Sequence, residues 1–196
     1  DKHVKNLQSF GQTVVIAFNK FATDTDEEIE VLRKHCEEMG CGFAVNSAFA
    51  EGGNGAIELA NLVVKTIDER PSAPLYFAYD DNDTVEEKIE KVSFNLYGAG
   101  SVTLSDSAKA MIEEIKKLGA EKFPICIAKT QYSFSTDAKA YGPTEGFELH
   151  VRDITVNMGA EMIVVIAGPI MRMPGLPKSP QAERIDVVNG EITGLS

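Results

Sequence analysis

Two phenylalanines follow short apolar runs that have the pattern of buried strands. Phe21 lies in a polar loop after the run TVVIAF at residues 13–18, and Phe49 lies in the loop after the run GFAV at residues 42–45. Ligands of open parallel sheets bind beyond the carboxyl ends of strands, where two aromatic rings could enclose a flat heteroaromatic ring. The alternative, which the pattern alone favours, is that both rings pack under their own loops.

Two further segments have the composition of active-site loops. EGGNG at residues 51–55 includes Gly52 and Gly53 and leads into a predicted helix, whose free amides would favour an anion. It lacks the Lys-Ser/Thr ending of a P-loop, and a tight turn that needs glycine is the alternative. MPGLPK at residues 173–178 includes Pro174 and Gly175, and its alternative role is a stiff connector.

The composition excludes several classes of protein and site. The net charge of −11 argues against binding to nucleic acids or acidic membranes, which are themselves negative. No histidine has a second histidine at metal-ligand spacing, so no metal site is predicted, and no catalytic residue is assigned. Three cysteines in apolar settings, with no signal peptide or membrane span, predict a cytoplasmic protein with reduced thiols.

The elements that must position these residues alternate along the chain. Apolar runs at residues 13–18, 42–46 and 75–79, separated by helical patterns, predict a parallel α/β sheet. Thr25 and Glu28 have the spacing of a capping box. The helix after residue 56 is expected to face inward with its apolar side. The residues of that side are Ala56, Leu59, Ala60, Val63 and Ile67.

The second half of the chain predicts a smaller mixed α/β region. Thr84 with Glu87 and Ser105 are expected to cap helices, and apolar strands are predicted at 124–130, 147–156 and 161–171. A long polar loop lies between the first two of these strands. Asn189-Gly190 favours a terminal hairpin. We place a parallel α/β unit at residues 1–125 and the mixed region at residues 126–196.

Six segments in a fixed order resemble the C-terminal portion of formate–tetrahydrofolate ligases, from about residue 10 to residue 195. They are NKFATDTDEE, AEGGNGAIELA, KIEKVSFNLYGA, FPICIAKTQYS, GPTEGFELHVRDI and MPGLPKSPQAERID. The resemblance implies an enzyme that makes 10-formyltetrahydrofolate from formate, ATP and tetrahydrofolate through formyl phosphate. It further implies Mg²⁺, a monovalent cation and a homo-oligomer, usually a tetramer.

The same resemblance assigns the two phenylalanines to a pterin-binding role. The family's aromatic residues that flank the pterin ring fall on Phe21 and Phe49, and Val45 matches a nearby apolar pocket position. This agreement reverses the preference for rings packed under their loops. Phe49 differs from the tryptophan common in bacterial members, so less stacking area is expected there.

The family's P-loop is not found in this chain, which implies a partner and a limit on activity. The chain is expected to need the N-terminal domain of the same enzyme, to bind no nucleotide or cofactor alone and to be inactive in isolation. The helical spacing of Val4, Leu7 and Phe10 suggests the end of an upstream helix, with a processed terminus as the alternative. A stand-alone module that binds folate or mediates assembly is the alternative for the whole chain.

Overall fold

The computed structural model describes residues 1–170 and 178–194 and begins with a parallel α/β unit. Its strands β1 (Val15–Asn19) and β2 (Gly42–Asn46) are parallel and joined by helix α2 (Asp26–Glu38). Helix α1 (Lys2–Ser9) precedes them. After β2 come the short helix α3 (Ala48–Glu51), a 3-10 turn (Gly52–Ala56) and helix α4 (Ile57–Glu69).

A second, four-stranded sheet follows. The helix α5 (Val85–Val92) continues into a π-helical turn (Ser93–Tyr97), and helix α6 (Asp106–Leu118) follows the first strand of this sheet. The strand order is β3 (Ser101–Leu104), β5 (Glu148–Asn157), β6 (Met162–Ala167) and β4 (Ile125–Ala128). β3 runs parallel to β5 and β4 runs parallel to β6, whereas β5 and β6 are antiparallel. The sheet is therefore mixed, in agreement with the predicted α/β fold class.

A small hairpin ends the described chain. β7 (Asp186–Val188) and β8 (Glu191–Thr193) pair in antiparallel fashion. Asn189 and Gly190 both have positive φ angles, of 53° and 84°, as a tight primed turn requires. The α/β class and the terminal hairpin are thus confirmed, while the domain boundary near residue 125 stays a prediction.

Local capping explains where several helices begin and end. Thr25 and Thr84 each accept a backbone hydrogen bond from the glutamate three residues later, and both capping boxes are complete. The Ser105 hydroxyl caps α6, and Gly119 ends that helix with a φ of 67°. These signals are encoded within four residues of each helix end, so the sequence predicts them well.

Two separate apolar cores hold the chain together. The larger one lies where α5 and α6 pack on the four-stranded sheet. Its fully buried members are Val85, Ile89, Ala108, Ile112, Ile115, Ala120, Leu149, Val151, Ile154, Ile163, Val165 and Ala167. The smaller one lies between α2 and the β1–β2 sheet and comprises Val14, Ile29, Cys36, Cys41 and Phe43.

The predicted strand at residues 75–79 is wrong. These residues form no strand, and Leu75, Tyr76 and Phe77 are exposed. The Tyr76 amide donates to the Phe10 carbonyl, which precedes β1, so the segment lies beside the entry to β1 rather than along it. An apolar run becomes a strand only where a neighbouring strand offers its hydrogen-bonding edge.

The prediction of which α4 residues face inward is also partly wrong. Leu62 packs close to Gly42 of β2, but Val63 and Ile67 are exposed, Ile67 by 63%. The sheet beneath α4 has only two strands, so it is too narrow to cover the whole apolar side of the helix. An exposed apolar surface remains on α4, comprising Ile57, Val63, Val64 and Ile67.

Candidate functional site

The candidate site is built on the aligned carboxyl ends of β1 and β2. Asn19 and Asn46 are register partners at the last position of each strand. The Asn46 side-chain amide donates to the Asn19 side-chain carbonyl at 2.8 Å, and the Lys20 amide donates to the Asn46 carbonyl at 3.0 Å. The two loops that follow therefore start side by side.

The loop that carries Phe21 is fixed by Asp24. The Phe21 amide donates to the Asp24 carboxylate at 2.7 Å, and the Asp24 amide donates to the Phe21 carbonyl at 3.1 Å. Phe21 is nevertheless 69% exposed. The loop thus holds its backbone in place and leaves the ring uncovered, so Phe21 does not pack under its own loop.

Phe49 lies on the short helix α3 and is fully exposed. The Ala48 amide, just before it, donates to the side-chain oxygen of Asn46 at 3.3 Å. One asparagine therefore contacts both the end of β1 and the start of α3. Two large exposed aromatic rings follow adjacent strand ends, and their role as a pterin sandwich stays a prediction.

Val45 lies on the α2 side of the β1–β2 sheet. It is half-buried and packs against the smaller core, together with Phe18 and Ile16. Its neighbour Ala44 is fully buried. Val45 is thus a rim residue of this core near the strand end, and its predicted pocket role is not tested by these contacts.

The glycine-rich segment is a 3-10 turn that folds back on the end of β2. Gly52 has a φ of 60°, and neither Gly52 nor Gly53 has a neighbour within 4 Å of the position that a Cβ would take. Gly55 is different, since a Cβ there would lie 2.5 Å from the Ser47 carbonyl carbon. The Ser47 amide also donates to the Gly55 carbonyl at 3.0 Å. Gly55 therefore closes the turn, while Gly52 and Gly53 line open space.

The candidate loop residues Pro174 and Gly175 lie outside the described residues. Within the described part, no group of three or more His, Cys, Asp or Glu side chains is placed to hold a metal ion. Over the same residues, no helix has the length and apolar character needed to cross a membrane. We therefore assign no metal ligand in this part of the chain.

Charged groups near the Phe21 loop form local hydrogen bonds and ion pairs. Glu28 accepts from the Thr25 amide at 2.9 Å, and this hydrogen bond lowers the pKa of the Glu28 carboxyl. Lys20 forms an exposed ion pair with Asp26 at 3.5 Å. Stacking and hydrogen bonding are the interactions that these strand ends offer to a ligand.

The asparagine bridge was missed by reasoning from the sequence. Two asparagines that each end an apolar run, Asn19 and Asn46, are the only signal for it. Recognising the pair requires the register of β1 against β2. With that register, both asparagines become part of the site.

Comparison with known proteins gives a consistent result along the whole chain. The family model described as formate–tetrahydrofolate ligase matches residues 1–196. Formate–tetrahydrofolate ligases from Bacteroides fragilis and Phocaeicola vulgatus are 63% and 64% identical over 196 residues, which is all of this chain and 35% of each relative. The ligase of a Psychrobacter species is 48% identical over 198 residues, covering 99% of this chain and 35% of the relative. The chain spans about a third of the length of these relatives, and it belongs to the formate–tetrahydrofolate ligase family.

Proposed function

We propose that this chain is the C-terminal part of a formate–tetrahydrofolate ligase and supplies the pterin-facing side of its folate site. The complete enzyme would transfer the γ-phosphoryl group of ATP to formate. The N10 amine of tetrahydrofolate would then attack the carbonyl carbon of formyl phosphate and displace phosphate. The product is 10-formyltetrahydrofolate.

The observation that carries this proposal is the pair of exposed rings on adjacent strand ends. Phe21 and Phe49 follow strands that are joined at their last residues by the Asn19–Asn46 hydrogen bond. Exposing two large apolar rings is unfavourable in water, and a flat heteroaromatic ring stacked on them would remove that cost. In this proposal Val45 contributes apolar surface at the rim. Gly52 and Gly53 belong to a loop near the substrates, and Pro174 and Gly175, which lie outside the described residues, keep their predicted role as active-site residues.

The phosphoryl-transfer chemistry is assigned to the rest of the enzyme. This chain has no segment ending in Gly-Lys-Ser/Thr, which a P-loop uses to hold nucleotide phosphates and their Mg²⁺. ATP, Mg²⁺ and the monovalent cation would therefore depend on residues outside it. We expect the isolated chain to make no product.

The first partner proposed for this chain is the N-terminal domain of the same enzyme. The complete enzyme is proposed to form a homo-oligomer in the cytoplasm. Exposed apolar side chains on α4, Val64 by 60% and Ile67 by 63%, support a covering partner. A stand-alone folate-binding or assembly module is the second candidate. It is favoured by the two apolar cores that this chain forms by itself.

Parallel calorimetric titrations and an activity assay test this division of roles. The chain is titrated with tetrahydrofolate in one cell and with ATP–Mg²⁺ in another, and 10-formyltetrahydrofolate formation is assayed with all substrates. The proposal predicts no ATP binding and no product. Tight ATP binding, or turnover by the isolated chain, would contradict it.

A further inference from the structure

A cavity lies away from the β1–β2 strand ends, between α1, the π-helical turn and the loop after β4. Its volume is about 520 Å³, which is in the range of small-molecule sites. Four aromatic side chains contribute to its wall. They are Phe10, Tyr97, Tyr132 and Phe134.

Lys129 places a positive charge in this aromatic cavity. Its ammonium group donates to the backbone carbonyls of Thr130, at 3.3 Å, and Ser133. The ammonium nitrogen also lies 4.7 Å from the centre of the Tyr97 ring, a favourable cation–π distance. An ammonium group has three donors, and these two carbonyls are its only hydrogen-bond acceptors among the described residues.

No carboxylate in the described part of the chain lies within ion-pair distance of Lys129, although the chain carries a net charge of −11. Partial burial lowers the pKa of the Lys129 ammonium, and no neighbouring acid offsets that effect. Lys88 is held in a similar way, by the Glu121 and Phe123 carbonyls and the Tyr79 ring, but the charges of Asp81 and Asp83 partly counteract the lowering of its pKa by burial. Lys129 has the dipoles and the ring without such charges nearby.

The other charges on the cavity wall do not neutralise Lys129. The Asp1 carboxylate contacts the His35 ring nitrogen at 2.8 Å. Lys2 has no carboxylate partner among the described residues, and His3 packs on Phe134 with 4.9 Å between ring centres. The wall is therefore electropositive where Lys129 and Lys2 line it.

The loop that carries much of this wall is held by two buried serines. The Ser133 hydroxyl donates to the Ala140 carbonyl at 2.7 Å and lies 2.9 Å from the Ser135 hydroxyl. The Ser135 hydroxyl accepts from the Asp137 amide at 3.1 Å. The long polar loop expected from the sequence is thus internally bonded here, which fixes the Lys129 cavity before any ligand arrives.

We propose that this cavity binds an aromatic anion, with a carboxylate or phosphate group on Lys129 and a flat ring against Tyr97, Tyr132 and Phe134. An anion would use the remaining ammonium donor and supply the missing negative charge. The aromatic wall would cover the ring. This site is separate from the proposed pterin site and does not depend on it.

Fluorine NMR titration of the 196-residue chain tests the proposal with two probes. The probes are 4-fluorobenzoate for a carboxylate and 4-fluorophenyl phosphate for a phosphate, each read by line broadening and shift. At least one should bind saturably, and the one that binds identifies the anion. If neither probe saturates, the proposal is overturned.

Variants locate the binding. Lys129→Gln should lower the affinity for the probe that binds by about tenfold or more, because a charge-assisted hydrogen bond is lost. Lys139→Gln makes the same charge change on an exposed residue of the same loop, outside the cavity wall, and should leave the affinity within about twofold. Unchanged affinity in Lys129→Gln would overturn the proposal.

Tyr132→Ala provides a second test that does not depend on whether Lys129→Gln folds. Tyr132 is 66% exposed, so its truncation should leave the thermal midpoint unchanged. The affinity for the probe should fall several-fold, because a ring contact is lost. Unchanged probe affinity in a folded Tyr132→Ala protein would contradict the ring placement. Phe21→Ala should not alter probe binding, which separates this site from the folate proposal.

Discussion

The side chains of Asn46 and Asn19 are joined by a 2.8 Å hydrogen bond that links the last residues of β2 and β1. The same Asn46 side chain accepts from the Ala48 amide one residue before Phe49. The bridge therefore sets the spacing between the two loops that carry Phe21 and Phe49. This hydrogen bond acts by positioning the two loops, because the rings of Phe21 and Phe49, and not the asparagines, would stack on a ligand.

Breaking this bridge should impair both stability and folate use. Asn19→Ala and Asn46→Ala are each expected to lower the free energy of unfolding by about 0.5–1.5 kcal/mol and to raise the KM for tetrahydrofolate in the complete enzyme. The double variant should cost less than the sum of the two single variants, because each single variant already removes the Asn19–Asn46 hydrogen bond. Urea denaturation measures the cycle, and strictly additive losses would show that the side chains are not coupled.

Gly55 should be intolerant of a side chain, and Gly53 should not be. A Cβ at Gly55 would lie 2.5 Å from the backbone of Ser47, so Gly55→Ala is expected to destabilise the protein by roughly 1–3 kcal/mol. Gly53→Ala meets nothing within 4 Å and should be neutral or stabilising by a few tenths to about 1 kcal/mol. Denaturation of the two variants gives the comparison. Equal effects would contradict the close approach at Gly55.

Asp83 should make stability depend on acidic pH. Its carboxylate accepts from Lys91 at 2.6 Å and from the Asp80 amide at 2.7 Å, and the hydrogen bond from Lys91 is the main cause of the lowered pKa of Asp83. A lowered folded pKa gives stability that is present above the unfolded pKa of about 3.9 and lost as pH falls through the folded pKa.

Asp83→Asn is therefore expected to be less stable than the unmodified protein at pH 7. The difference should shrink as the pH falls below about 4. Urea denaturation across this range provides the measurement. A difference in unfolding free energy that does not change with pH would exclude the ionised carboxylate as its source.

The exposed apolar side of α4 should cause the isolated chain to self-associate. Val64 and Ile67 are exposed by 60% and 63%, and the chain spans only about 35% of its relatives. Replacing both with glutamate should reduce association in sedimentation experiments without lowering the thermal midpoint. Leu118→Glu, on α6, is the control and should have little effect. A chain that is monomeric at high concentration before any substitution would contradict the prediction.

Local signals predict much of this fold. Thr25 with Glu28 and Thr84 with Glu87 are complete capping boxes within four residues, and Asn189-Gly190 forms its turn within two. The strands β1 and β2 also follow from apolar patterning. In each case the information lies within one short segment or in the order of segments.

Features that depend on distant partners were not predictable. Residues 75–79 have the composition of a strand, yet no strand in the described chain pairs with them, and Phe77 is 77% exposed. At the site, the positions of Phe21 and Phe49 followed from the strand ends, whereas the asparagine bridge required the register. The cavity at Lys129 depends on α1, which is far from it in sequence.

The central claim, that Phe21 and Phe49 flank the pterin ring, is tested most directly by steady-state kinetics of the complete enzyme. Phe21→Ala and Phe49→Ala should each raise the KM for tetrahydrofolate by an amount equivalent to about 1–3 kcal/mol of lost stacking, with the KM for ATP nearly unchanged. Phe94→Ala, which truncates a 40% exposed ring on the π-helical turn, is the matched control and should alter neither constant. Unaltered folate kinetics in both site variants would contradict the account.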